Sequence, residues 1–148
     1  ALNRRMREGS EPFTVMSCDN LPGNGTVLRN VVLAYASQIS NELRDWINEK
    51  VDFPDTMVDR IVPKTTGEQK SGHAARFGVF DKSPIYTETF RQFAIKDPGP
   101  NRPFPDFASV GALVAHDVTP FELMKIRILN GTHMALGLIG RQAGYKYD

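Results

Sequence analysis

The stretch VTPFELMKIRILNGTHMALGLIG, Val118 to Gly140, constrains the fold more than any other part of the chain. Thr119 stands where an N-cap belongs, Pro120 follows at the first helical position, and Glu122 is placed to reach back as the acid of a capping box. The apolar residues behind them recur at helical spacing. The pattern predicts a helix from Pro120 to about Ile139, stopped by Gly140.

That apolar run carries Lys125, Asn130 and His133. At about 100° per residue, with Lys125 as origin, His133 falls at about 80° and Asn130 at about 140°, so the three share one sector. At about 1.5 Å rise per residue Lys125 and His133 lie roughly 12 Å apart along the axis, a span that suits an extended small molecule better than one metal ion. Gly131 costs about 1 kcal/mol of helix propensity against alanine, which points to a backbone or ligand in close approach there.

Two readings stay open. Buried Asn and His are usually hydrogen-bonded core residues, and a lysine can snorkel out of an apolar face. Alternatively, a desolvated, unpaired ammonium costs on the order of several kcal/mol, which favours the neutral amine and makes a general base. A nearby Asn can then donate to an oxygen gaining negative charge, and a His can hold a neighbouring hydroxyl, a set suited to reversible alcohol oxidation. Glu122 is likewise either the capping acid or a relay passing a proton between Lys125 and water.

Elsewhere the pattern is plainer. ALNRRMREG reads as the tail of a helix ending at Gly9, FTVMSC as a strand, and DNLPGNG as a turn cluster. Ser17, Cys18, Asp19 and Asn20 then fall at a strand's C-terminal end, where open α/β sheets bind ligands, with Asp19 and Asn20 equally readable as an Asx-turn. Gly23 and Gly25 resemble the opening of a dinucleotide fingerprint, but Leu28 stands where the third glycine belongs, so that signal is weak. Thr26 can cap one long amphipathic helix running from Val27 to Ile47. A short strand follows at Met57 to Val62, Lys64 to Ser83 reads as an exposed loop, IYTETFRQFAIKD as one or two strands, and DPGPNRPFPDF as a linker.

Composition removes several function classes. The 148 residues are 41% hydrophobic, enough for one ordinary domain core or for parts of two domains meeting at a cleft. With 18 Lys+Arg against 17 Asp+Glu, the net charge of +1 offers no field to attract nucleic acid or an acidic membrane surface. No apolar run has the roughly 18 to 20 residues of a spanning helix. The single cysteine, Cys18, and the three dispersed histidines have no zinc-ligand spacing, so no metal is expected and a reducing cytoplasm fits best.

Three motifs in order, FTVMSCDNLPGNG, FPDTMVDRIVP and VTPFELMKIRILNGTH, closely resemble the mannitol dehydrogenase family of long-chain, metal-independent polyol dehydrogenases, which includes fructuronate and tagaturonate reductases. The likeness covers nearly the whole chain, weakest across Lys64 to Ser83, and matches the middle of the family's sequence, so a segment of a longer parent protein is expected. The resemblance implies an α/β fold: residues 1–117 end a Rossmann-like nucleotide-binding domain, and residues 118–148 begin a mostly helical substrate domain. It implies NAD as cofactor, with NADP left open, and a polyol or keto-sugar substrate of mannitol and fructose type. By the same resemblance Lys125 is the catalytic acid/base, Asn20 and Asn130 polarise the reacting oxygen, Asp59 and His133 hold other substrate hydroxyls, and Val58, with Asn20, lies beside the nicotinamide. The sequence departs from the family where it reads ETFRQFAIKD: Phe93 replaces a tryptophan and Lys96 an acid, so no substrate contact is carried over there. The alternatives are a fructuronate or tagaturonate reductase of the same family, a lyase using Lys125 as Schiff-base nucleophile, and a catalytically silent binding or structural module.

Overall fold

The computed structural model describes residues 1–99 and 104–145, and the chain divides into two compact units, Ala1–Val58 with Phe93–Asp148, and Asp59–Gln92. In the first, helix α1 (Leu2–Arg7) ends as expected, with Gly9 in the left-handed region at φ 63°. The next segment, FTVMSC, forms no strand. Ser17 offers its carbonyl to the Thr56 hydroxyl and the Asn24 amide, so side chains take a group a strand partner would need, and Val15 N–H makes an isolated backbone bond to Asp52 O at 2.9 Å.

The single long helix expected from Val27 is two helices, α2 (Asn24–Ile39) and α3 (Asn41–Lys50). Ser40 breaks them in an extended conformation and caps α3 by accepting from Leu43 N–H at 3.1 Å. Gly23, not Thr26, precedes the start of α2, at φ 61°. The two helices close a core of Ala36, Leu43, Ile47 and Val51, against which α1 places Leu2 and Met6.

Strands β1 (Thr56–Asp59), β2 (Gln92–Lys96) and β3 (Leu113–Ala115) form a sheet in the order β1-β2-β3. The last two run parallel with Ala94 opposite Leu113 and Ile95 opposite Val114. Met57, Ala94 and Val118 make a second core that Phe121 of helix α5 (Thr119–Met124) covers. Part of the Pro-rich linker, Pro100 to Pro103, lies outside the described residues.

In the second unit the expected loop contains helix α4 (Gly67–Phe77). Thr66 and Gln69 form a full capping box and Gly78 ends the helix at φ 67°, so short-range hydrogen bonds create it in a stretch with little apolar periodicity. Around it Arg60 donates to Glu88 O, and Ile61 N–H to the Glu88 carboxylate at 2.7 Å.

Beyond α5 the chain stays helical past Gly140. Residues Lys125–Asn130 form a π-helical turn, α6 (Gly131–Gln142) continues from it, and Gly144 marks the exit at φ 85°. The apolar side of this stretch faces solvent: Ile128, Met134, Leu138 and Ile139 are each more than 60% exposed.

Candidate active site

Lys125 is the first residue of the π-helical turn and is buried, with 8% of its surface exposed. Its Nζ donates to Oδ1 of Asn20 at 2.5 Å. Among the described residues it forms no ion pair, so a neutral amide is the partner of a buried amine. Because Asn20 Oδ1 faces the lysine, its Nδ2 is turned away and is not engaged by any described residue.

Asn20 is itself exposed, and its loop is held by the residues around it. Asn24, at 2% exposure, donates from Nδ2 to Asp19 O and to the Thr56 hydroxyl, both at 2.9 Å, and accepts Thr56 N–H on Oδ1 at 2.9 Å. The Thr56 hydroxyl donates to Ser17 O at 2.6 Å. From the opposite side the Glu122 carboxylate accepts Gly23 N–H at 3.0 Å. Asp19, Asn20, Pro22, Thr56, Met57, Val58, Glu122 and Lys125 line a small, open crevice of about 20 Å³.

The bond to Gly23 corrects the expected capping box. The helix begins one residue earlier than foreseen, behind Val118, and no side chain caps it. Asp117 instead accepts Thr119 N–H at 2.9 Å, and the hydrogen bonds from Thr119 hold its carboxyl below the ordinary value of 3.8. Glu122 is thereby released to reach the loop.

The π-helical turn also revises the angular argument. Gly131 N–H reaches Ile126 O, five residues back, a wider turn than the α-helix makes. In an α-helix residues five apart diverge by about 140°. A turn closed at five brings Lys125 and Asn130, its first and last residues, toward one side. Asn130 is half-buried and His133 is exposed, and neither lines the crevice. Val58 does line it. Asp59, 8% exposed at the end of β1, begins the second unit.

Among the described residues no backbone makes the close approach anticipated at Gly131, where a Cβ would meet Ile126 O at an ordinary 3.8 Å. Such an approach occurs at Gly25, where a Cβ would lie 2.4 Å from Pro54 O. Asp55 Oδ1 accepts Thr26 N–H at 2.9 Å, so the start of α2 already carries a carboxylate. Gly25 therefore serves helix packing, and Gly23, at φ 61°, supplies the left-handed turn into α2. Asn24 and Thr56 were not anticipated as site residues; the one sequence signal was an asparagine opening a helix directly after a turn cluster. Among the described residues no three His, Cys, Asp or Glu side chains converge on a metal position, and no helix is long and apolar enough to cross a membrane.

A three-stranded sheet with a parallel pair, flanked by helices, defines an α/β domain. The family model described as the mannitol dehydrogenase Rossmann domain matches residues 1–106. The chain belongs to the mannitol dehydrogenase family. It is 45% identical over 150 residues to a mannitol 2-dehydrogenase of Phaeosphaeria nodorum, covering 99% of this chain and 26% of that protein. It is 44% identical over 147 residues to an uncharacterized oxidoreductase, YdfI, of Escherichia coli K12, covering 99% of this chain and 30% of the relative. Among solved structures it is similar to a substrate-free D-sorbitol dehydrogenase (TM-score 0.88, 40% identity, 98% of this chain and 30% of that one). It is also similar to the Pseudomonas fluorescens mannitol 2-dehydrogenase in ternary complex with NAD and D-mannitol (TM-score 0.81, 43% identity, 99% and 30%). The chain thus spans less than a third of the length of these relatives.

Proposed function

We propose that this chain carries the catalytic segment of an NAD-dependent polyol dehydrogenase, interconverting a mannitol-type alcohol and its keto-sugar, with the cofactor and substrate sites completed by further segments of a longer polypeptide. The observation that carries the reading is the buried Lys125 amine held at 2.5 Å by Asn20 Oδ1. That orientation leaves the Asn20 amide N–H groups for a substrate oxygen.

In the oxidation direction Lys125 takes the hydroxyl proton as general base, and returns it during reduction. Asn20 and Asn130 donate to the same oxygen as it becomes alkoxide-like, which lowers the barrier because the donors are oriented beforehand. Asp59 and His133 hold neighbouring hydroxyls, and Glu122 passes the proton on to water. The apolar side of Val58 in the crevice fits the face of a flat nicotinamide ring, and the similar enzyme solved with NAD supports a nicotinamide dinucleotide as cofactor. NAD, when bound, supplies the hydride acceptor.

The test is the full-length enzyme with D-mannitol and NAD. Lys125→Ala is expected to abolish most turnover while KM for NAD changes little; undiminished turnover removes the assignment. Borohydride treatment with the keto-sugar should leave no adduct on Lys125, which separates this chemistry from a Schiff-base lyase.

A further inference from the structure

We propose that Asn24, acting with Thr56, is a positioning residue that sets Asn20 against Lys125; this rests on the catalytic reading above. Asn20 stands on an exposed loop, so burial of its own side chain does not fix it. What fixes the loop is beneath it. The Asn24 amide is 2% exposed, donates at 2.9 Å to the carbonyl of Asp19, the residue next to Asn20, and is anchored to β1 through both Thr56 N–H and the Thr56 hydroxyl. Thr56, at 1% exposure, bonds the same loop a second time at Ser17 O. Two buried polar side chains thus tie Ser17 and Asp19 to a strand edge, and Asn20 follows directly.

Such an arrangement is costly to bury unless every group is paired, and here the pairing is spent on one loop. Helix α2 would form with a serine or aspartate at its start, so capping alone does not call for this amide. The amide is required by geometry: its NH2 faces three acceptors, Asp19 O, the Thr56 hydroxyl and, at 3.4 Å, Ser17 O, while its oxygen accepts from Thr56 N–H, which an asparagine can serve and a carboxylate or hydroxyl cannot.

The experiment is a double-mutant cycle in the full-length enzyme with D-mannitol and NAD. Thr56→Val and Asn24→Ala are each made alone and in an Asn20→Ala background, with Thr56→Ser as the conservative control. Thr56→Val is expected to lower kcat about tenfold with KM for mannitol within about twofold, and Thr56→Ser to restore it. In the Asn20→Ala background the same substitutions should change kcat less than about twofold, because their effect runs through a side chain already gone. Equal losses in both backgrounds, or a folded Thr56→Val enzyme with unchanged kcat, overturn the proposal. If Asn24→Ala fails to fold, the Thr56 pair decides alone. Undiminished turnover in Asn20→Ala itself overturns the catalytic reading and this inference with it, whereas a damaged Asn20→Ala with no coupling overturns only this one.

Discussion

Asn20 and Lys125, 105 positions apart in the chain, meet at 2.5 Å, the lysine Nζ donating to the asparagine Oδ1. The contact joins a loop from the first part of the chain to a helix from its last part, and consumes the only acceptor atom of the Asn20 side chain.

Removing that acceptor affects activity and stability together. Asn20→Ala should lower kcat of the full-length enzyme by about two orders of magnitude, the usual effect of losing one oxyanion donor. It should also lower the melting temperature, since a buried amine loses its partner. Steady-state kinetics and thermal unfolding read the two effects separately.

Gly25 permits the tight seating of α2 on the chain before β1. A Cβ would sit 2.4 Å from Pro54 O and 2.6 Å from Phe53 O, both backbone atoms that cannot swing aside. Gly25→Ala should therefore destabilise by about 1 to 3 kcal/mol or more, in spite of alanine's better helix propensity. Urea denaturation is the measurement; an unchanged midpoint would mean that the helix start shifts freely.

The π-helical turn predicts an unusual deletion phenotype. Removing Ile128, which is 65% exposed, takes one residue from Lys125–Asn130 and lets the turn close as α-helix. The secondary structure should survive by circular dichroism, and turnover should stay within about tenfold of the parent because Lys125 and Asn130, then four residues apart in a regular helix, still differ by only about 40° and keep one side; a loss of about a hundredfold or more in steady-state kinetics would show that the wider turn itself is needed.

Asp117 gives a stability term with a defined pH sign. Its carboxyl lies below 3.8 because Thr119 donates to the charged form. A depressed folded-state value adds stability above the unfolded value, lost as pH falls through the lower folded value. Asp117→Asn should lower the urea midpoint at pH 6, and the difference from the parent should shrink once pH drops below 3.8. Its carboxyl is fully exposed, so the difference is small.

What was legible in the sequence was chemistry carried by local pattern. The polar residues of the last helix stood out because their types contradict their apolar surroundings, whereas Asn20, ordinary in a turn cluster, was singled out by the family resemblance. The α/β class followed from the three motifs. The break at Ser40 was hidden because apolar spacing runs through it, and only the extended serine separates the helices. Helix α4 was missed although Thr66 and Gln69 spell a capping box, since its helical face is weakly apolar. The fate of Glu122 depended on an amide 99 positions away, which no local rule contains. The π-helical turn has no composition signature, and it altered every angle drawn from regular helix geometry.

The solvent-facing side of the final helix has a consequence for handling this polypeptide. Ile128, Met134, Leu138 and Ile139 form a greasy ridge wetted along its length. Produced by itself, the chain would offer that ridge to chaperones and to other copies of itself, so its lifetime in a cell would be governed by quality control.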